Sequence, residues 1–338
     1  MTESQGVSDT QEGYPVGPGS RSVLKPLLRT VVGVGIIALL VVRSDVRAIG
    51  EAIADADAIW IGLAFALMLG VLAVSGLRWE VFLRSLGVEL APGPTMRLTF
   101  VGGFFNAFLP TGVGGDAYKA MRVRGPDVAL SRAVASVLLD RIAGIVCLAA
   151  IGLVAVIARL AAGDPGPAVP IAALISLGIL AAAGVLVVFG EKIVGSGRST
   201  WFGLRPRLKR TARELKQAGT HPRSVSWGIF WGVATQVLGI AGHLALARAL
   251  SLRVPLAALT LGLLIATVAT TAPITINGLG FREGAWVWLL GLYGVGGGKA
   301  LAYALLILAI FLATSAIGGV VYAVAGGEVT AATTRARS

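Results

Sequence analysis

The chain contains few of the residues that build disulfide frameworks, metal centres or soluble catalytic sites. Its 338 residues include one cysteine, Cys147, which excludes a disulfide framework and a thiolate metal site. Its two histidines, His221 and His243, are too few for a metal cluster without other ligands. The sequence has no HExxH or GxSxG motif. We therefore expect no metal, no cofactor and no enzymatic activity.

Charged residues are also scarce. They make up 14% of the chain, whereas a soluble globular chain is about one quarter charged. Hydrophobic residues make up 56%, and the mean hydropathy is +0.83. A membrane-spanning helix needs about 20 apolar residues. The candidate spans are Leu24–Val42, Ala58–Leu77, Ala133–Leu160, Pro167–Gly190, Trp227–Leu250 and Ala300–Gly326. The sequence therefore predicts an all-α polytopic membrane protein.

The basic residues gather in loops, although the formal net charge is +12. Residues 191–226 form the most basic loop, in which Gly195–Arg223 carries eight Lys or Arg residues against the single acid Glu214. Such a loop follows the positive-inside rule and is expected in the cytoplasm. An alternative is an amphipathic helix that also holds anionic lipid headgroups. Neither pattern indicates a nucleic-acid partner.

Two apolar stretches are interrupted by similar sequences, GGFFNAFLPTGVGGDAYKAMR (Gly102–Arg122) and TTAPITINGLGFREGAW (Thr270–Trp286). Each has a proline, then a Gly-x-Gly turn, then a carboxylate near a cation. These residues are Pro110, Gly112, Gly114, Asp116 and Lys119 in the first, and Pro273, Gly278, Gly280, Arg282 and Glu283 in the second. Helix breaks and charges are costly inside lipid, because unpaired backbone groups find no water there. We infer that both interruptions line a site.

Loop charges predict how the chain crosses the membrane. Arg21 and Lys25 place the N-terminus in the cytoplasm. If Leu98–Gly112 enters and returns on one side, the basic residues that follow it stay in the cytoplasm. A second hairpin, Leu256–Thr275 with Gly284–Val295, would then enter from the outer face. This gives about six transmembrane helices, two oppositely oriented re-entrant helices and a cytoplasmic C-terminus; eight crossings with two broken helices is the alternative.

Oppositely oriented broken helices are the arrangement in which secondary transporters hold substrate near the bilayer midplane. The candidate site residues are Asn106, Gly114, Gly115, Asp116, Lys119, Arg122, Asp140, Arg141, Asn277, Gly278, Gly280, Arg282 and Glu283. Backbone amides freed by the glycine turns suit an anionic group such as a phosphate, and the cations would add to this attraction. Asp116 would orient those cations or exchange a proton; the alternative is that it caps the following helix.

Asp140 and Arg141 lie inside an expected span, where each charge costs about 2.5–3.5 kcal/mol. Adjacent helical residues point about 100° apart, so each needs another partner, and we expect Asp116 or Glu283 for Arg141. The alternative is that the helix begins later and both side chains reach the cytoplasmic interface.

Other polar residues of the expected spans have simpler interpretations. Arg78 and Trp79, at the end of a span, are interpreted as an interfacial anchor. His243 and Gln236 lie two helical turns apart on a similar face. For His243 we expect an interhelical hydrogen bond rather than a ligand role.

At these motifs the chain resembles a flippase-like membrane family that includes the transmembrane region of lysyl-phosphatidylglycerol synthases. The resemblance is carried by NAFLPTGVGGDAYKAMR (Asn106–Arg122), SVLLDRIAG (Ser136–Gly144) and PITINGLGFREG (Pro273–Gly284), and covers roughly residues 25–325. It implies the re-entrant pair and the movement of polar lipids, such as aminoacylated phosphatidylglycerol, between leaflets of the cytoplasmic membrane. Since no soluble aminoacyl-transferase domain follows, we expect a stand-alone member, and lysine transfer is not implied.

The expected organisation is a disordered cytoplasmic tail at 1–22, a transmembrane flippase-like domain at 23–327 and a short cytoplasmic tail at 328–338. The expected partners are membrane lipids, either an anionic phospholipid or a polyprenyl-phosphate lipid. A second copy of the chain and a separately encoded lipid-modifying enzyme stay open as further partners. Two other functions also stay open. These are a membrane-embedded enzyme or accessory subunit of polyprenyl-lipid glycosylation, and secondary transport of a small solute.

Overall fold

The computed structural model describes residues 21–109, 113–163, 165–196, 205–219, 221–271 and 275–325. These residues form twelve α-helices and one turn of 3-10 helix, with no strand among them. The helices are α1 (Arg21–Arg43), α2 (Val46–Ala54), α3 (Ala58–Ser85), α4 (Pro92–Phe108), α5 (Gly114–Val123), α6 (Leu130–Ala161), α7 (Val169–Ser196), α8 (Arg205–Gly219), α9 (Pro222–Ala249), α10 (Leu256–Thr271), α11 (Phe281–Leu292) and α12 (Gly297–Val324), with the 3-10 turn at Ile276–Gly278. The all-α prediction is confirmed. Residues 1–20 and 328–338 of the expected tails, residues 326–327 of the expected transmembrane domain, and Pro110, Gly112 and Pro273 lie outside the described residues.

Within the described residues, five helices are long and apolar enough to cross a membrane: α3, α6, α7, α9 and α12. Large apolar side chains on their outer faces are exposed, among them Ile157, Leu174 and Val237. A bilayer would cover these apolar faces, since contiguous apolar surfaces of this size are rare on soluble proteins. Five of the six expected spans are therefore confirmed. The sixth, Leu24–Val42, is helical within α1, whose side chains are described from Leu28 onward.

Helices α3 and α9 form an antiparallel pair that defines the two ends of the bundle. At one end, the amide of Asp57 before α3 donates to the carbonyl oxygen of Ala249 at the end of α9 (3.0 Å). Toward the other end, a Cβ on Gly228 of α9 would come within 2.7 Å of the Phe82 ring of α3. Small residues of this kind let membrane helices approach closely. Every later element can be placed relative to these two ends.

The two interruptions are helical hairpins that insert into the bundle from opposite ends. The first, α4 and α5, follows the C-terminal end of α3 and returns to α6 at that end, where Trp79 Nε1 donates to Ser136 Oγ (3.1 Å). The second, formed by α10, the 3-10 turn and α11, follows the C-terminal end of α9 and returns to the start of α12. The first arm starts at Pro92, earlier than the expected Leu98, because proline suits the first turn of a helix.

Two segments between the expected spans contain helices. Helix α2 follows Asp45, whose side chain caps its N-terminus, and it packs against α12. Helix α8 occupies the basic loop; Leu215 and Ala218 pack toward α3 and α6, while Arg213 is exposed. Helix α8 therefore has the amphipathic form that the second interpretation of this loop requires.

Candidate functional site

The first hairpin is held by a backbone contact that only glycine permits. The amide of Gly115, in the first turn of α5, donates to Oδ1 of Asn106 in α4 (2.8 Å). A Cβ on Gly115 would overlap the carbonyl oxygen of Gly102. The two arms therefore touch backbone to backbone, as small residues allow in membrane helices. Asn106 therefore satisfies an amide of the interrupted backbone.

Asp116 and Arg141 form an ion pair between α5 and α6. Of the two expected partners for Arg141, Asp116 is therefore the correct one. Asp116 lies in the first turn of α5, whose N-cap residue is Val113, and it does not cap this helix itself. The side chain of Arg141 is 43% exposed and that of Asp116 is 19% exposed, so this pair lies at the edge of the buried interior.

Asp140 is deeply buried and is shared by two cations. Its Oδ1 accepts from Nε of Arg78 (2.7 Å), and its Oδ2 lies 3.7 Å from Nζ of Lys119. The ammonium of Lys119 also lies 4.1 Å from the ring centre of Trp79. All three charged side chains are at most 10% exposed. The interpretation of Arg78 as an interfacial anchor is wrong, and so is the alternative that Asp140 reaches the interface.

The charge of this cluster is unbalanced. Arg78 and Lys119 supply two cations against the single carboxylate of Asp140. Burying an ion pair is costly unless its geometry and hydrogen bonds are good. The short Arg78–Asp140 contact and the aromatic ring beneath Lys119 meet that condition.

A glycine makes room for Arg78. A Cβ on Gly144 of α6 would come within 3.1 Å of Nη1 of Arg78. The carbonyl oxygen of Gly144 accepts from Nε2 of Gln236 in α9 (2.9 Å), so three helices meet at this point.

Arg122, the last candidate cation of α5, lies over the ring of Tyr118, 5.3 Å from its centre. It is therefore set apart from the Asp140 cluster.

The second hairpin turns through a run of left-handed backbone. Asn277 has φ 49°, Gly278 has φ 72° and Gly280 has φ 84°. Glycine adopts this conformation freely, and asparagine tolerates it better than most residues. A Cβ on Gly278 would also come within 2.7 Å of Cα of Thr270 at the end of α10. The predicted Gly-x-Gly turn is confirmed at this interruption.

Glu283 fixes the start of α11 and holds Arg282. Its carboxylate is fully buried, and Oε2 accepts from the amide of Gly280 (2.6 Å). Its Oε1 accepts from both Nε (3.0 Å) and Nη2 (2.7 Å) of Arg282. The guanidinium lies 5.0 Å from the ring centre of Phe311 in α12. The side chain of Arg282 stays 12% exposed, so part of it remains accessible.

A cavity of about 350 Å³ lies beside the second hairpin. Most of its wall is apolar and comes from α3, α9, α10 and α12. The apolar lining includes Met68, Val71, Leu72, Leu246, Leu263 and Ile310, and the polar lining is His243, Thr267, Thr270, Asn277, Arg282 and Thr314. Of the two interruptions, the second contributes to the described lining through Asn277 and Arg282. An apolar cavity with a few convergent polar groups is typical of a binding site.

His243 reaches the cavity from a buried aromatic cluster. Its Nδ1 lies 2.9 Å from the hydroxyl oxygen of Tyr303 in α12, and its ring stacks on Trp286 of α11 with 4.7 Å between ring centres. The expected interhelical hydrogen bond of His243 is confirmed, with Tyr303 as the partner. Gln236 makes a separate contact elsewhere, with the carbonyl of Gly144.

Helix α12 connects the two polar regions. Arg282 of the second hairpin lies over Phe311, while Phe105 of the first hairpin packs against Tyr322, with ring centres 5.3 Å apart. At 1.5 Å per residue, Phe311 and Tyr322 are about 16 Å apart along the helix axis. The site residues therefore form two groups: Asp116, Lys119, Asp140 and Arg141 at the first hairpin, and Asn277, Arg282 and Glu283 at the second.

Sequence reasoning missed three parts of this arrangement: the role of Arg78 beside Asp140, the Tyr303 hydroxyl on His243, and the threonines of the cavity wall. A comparison with protein families gives a match to the model for the lysylphosphatidylglycerol synthase TM region, over residues 27–319. A search of curated proteins gives no significant match.

Proposed function

The chain belongs to the family of the lysylphosphatidylglycerol synthase TM region, and from this membership we propose that it moves lipids between the leaflets of the cytoplasmic membrane. The lipid carries an anionic or polar headgroup. The two glycine-broken hairpins form the polar part of its path, and the lipid tails stay in the bilayer. In this proposal the hairpins are re-entrant from opposite membrane faces, and both chain termini are cytoplasmic.

The cavity beside the second hairpin carries this proposal. Its apolar wall suits the hydrocarbon part of an amphipathic molecule, and Arg282 and Asn277 suit a phosphate and its substituents. Glu283 accepts from two nitrogens of the Arg282 guanidinium and so fixes its position. The remaining N–H groups of the guanidinium can donate to a ligand.

The path continues along α3 toward the first hairpin. Leu72 lines the cavity, and a Cβ on Gly103 of α4 would lie 3.8 Å from its Cδ2. Six residues further along α3, Arg78 reaches Asp140 and the buried charge cluster. In the proposal, this cluster is the second site at which the headgroup binds, and Lys119 and Arg141 supply positive charge there.

Translocation in vesicles tests the proposal. The purified chain is reconstituted with anionic phospholipids labelled on an acyl chain, and the labelled lipid reaching the other leaflet is followed by its accessibility to a membrane-impermeant quencher. Arg282→Gln should slow translocation about tenfold to a hundredfold, because a charge-assisted hydrogen bond contributes about 1.5–3 kcal/mol. Arg253→Gln is the matched control, since Arg253 is exposed in the loop between α9 and α10.

The outcomes separate the function from the site. If the wild-type chain moves no anionic or polyprenyl-phosphate lipid faster than protein-free vesicles do, the proposed function is wrong. If Arg282→Gln translocates as fast as Arg253→Gln, the cavity is not the headgroup site. Formation of a chemically altered lipid during the assay would instead identify an enzyme.

A further inference from the structure

Three threonine hydroxyls on the cavity wall have already used their hydrogen atoms. Thr267 and Thr270 lie in α10, and Thr314 lies in α12; all three line the cavity. Thr267 donates to the carbonyl oxygen of Leu263 (2.7 Å), and Thr270 donates to that of Thr267 (2.7 Å). Thr314 donates to the carbonyl oxygen of Phe311 (3.0 Å). Each hydroxyl is thus committed to its own helix.

A hydroxyl has one hydrogen to donate and two lone pairs that accept. Once its hydrogen is used, it can only accept from a ligand. Among the described lining residues, Arg282 is the single permanent cation, and two of its nitrogens are already bound to Glu283. The wall therefore combines one cationic position with three threonine oxygens, on α10 and α12, that can accept hydrogen bonds, beside the side chains of Asn277 and His243. A phosphodiester whose alcohol carries no donor would satisfy the cation and leave the threonine oxygens without a hydrogen to accept.

We propose that Thr267, Thr270 and Thr314 determine headgroup specificity by accepting hydrogen bonds from donors on the headgroup. The ligand is a lipid phosphodiester held at Arg282 whose alcohol substituent carries hydroxyl or ammonium groups. A phosphodiester of the same charge without such donors binds more weakly. This inference rests on the proposed function in one respect, namely that the cavity is where the headgroup binds.

Thr260 provides a matched control within the same helix. Its hydroxyl also donates to its own helix, to the carbonyl oxygen of Leu256 (3.0 Å), but Thr260 is not among the residues that line the cavity. A purely structural role would make Thr260 and Thr267 equivalent, since both satisfy a helix carbonyl. A role in recognition would be confined to the threonines of the cavity.

Equilibrium binding of short-chain lipids tests the inference. The full chain in detergent is titrated calorimetrically with dihexanoyl phosphatidylglycerol and with dihexanoyl phosphatidylmethanol. Both carry one phosphodiester charge, and they differ in the hydroxyl groups of the alcohol. We expect the glycerol lipid to bind about tenfold more tightly, the factor that about 1.4 kcal/mol of hydrogen bonding produces. The variant Thr267→Val/Thr270→Val/Thr314→Val should reduce this preference to about twofold or less, whereas Thr260→Val should keep it.

Equal affinities of the wild-type chain for the two lipids would overturn the inference, and so would no detectable binding of either. A preference that survives the triple substitution would also overturn it. If the triple variant shows no cooperative thermal unfolding, Thr267→Val and Thr314→Val are measured singly, and each should lower the preference. Binding is independent of transport: a headgroup preference without translocation would refute the proposed function and leave the inference standing. Translocation without any headgroup preference would support the proposed function and refute the inference.

Discussion

Replacing Asp140 by asparagine should strongly destabilise the chain. The substitution keeps the size of the side chain but removes the one carboxylate that faces both Arg78 (2.7 Å) and Lys119 (3.7 Å). All three side chains are at most 10% exposed, so water cannot replace the lost partner. Removing one member of a buried pair costs about 3–5 kcal/mol, because the remaining charge stays buried without compensation. We expect a loss in that range for Asp140→Asn.

The free energy of unfolding can be measured by denaturant titration in detergent micelles, followed by circular dichroism. Glu51→Gln is the control, since Glu51 pairs with Arg47 through side chains that are 62% and 87% exposed. An exposed pair contributes between zero and about 1 kcal/mol, so this control should change little.

A second substitution tests the physical cause. Adding Lys119→Met to Asp140→Asn removes one of the two stranded cations, so the double variant should recover at least about 1 kcal/mol. A loss below about 1 kcal/mol for Asp140→Asn would show that water or a rearranged side chain compensates both cations. Additive effects of the two substitutions would show that Lys119 is not coupled to Asp140.

Two further predictions concern contacts that the fold requires. Gly115→Ala should cost about 3 kcal/mol or prevent folding, because the new Cβ overlaps the carbonyl oxygen of Gly102. Gly284→Ala is the control and should be neutral, because its Cβ meets open space. Equal unfolding temperatures for the two variants would contradict this prediction. Tyr303→Phe should cost about 1–3 kcal/mol in the same titration, because Nδ1 of His243 loses its partner inside the bundle, and an unchanged midpoint would show that the contact contributes nothing.

The general architecture could be predicted from the sequence because it depends on local patterns. Apolar runs of about 20 residues give the spans, and Gly278 and Gly280 give the turn. Asp116 and Arg141 could be paired because each charge, placed beside or inside an apolar run, needs a counter-charge. Asp140 needs a counter-charge for the same reason. The predicted span Ala58–Leu77 ends one residue before Arg78, and extending it would have identified Arg78 as the partner.

The contacts that the sequence could not supply join distant helices. Arg78 and Asp140 are separated by 62 positions, and His243 and Tyr303 by 60. Which faces of α3, α6, α9 and α12 meet depends on how their small residues pack, and single-helix periodicity does not contain that information. The threonines of the cavity wall were missed for the same reason, since Thr267 and Thr314 line one cavity only once α10 and α12 are packed into the bundle.

The insertion of the two hairpins from opposite ends of the bundle has a consequence for energetics. In the proposed function, a lipid path with one hairpin at each end would offer a polar group to a headgroup that arrives from either leaflet. Net flux along this path would run from the leaflet that holds more of the lipid to the leaflet that holds less. Concentrating the lipid against that difference would require coupling to an ion, or to an enzyme that consumes the transported lipid in the receiving leaflet.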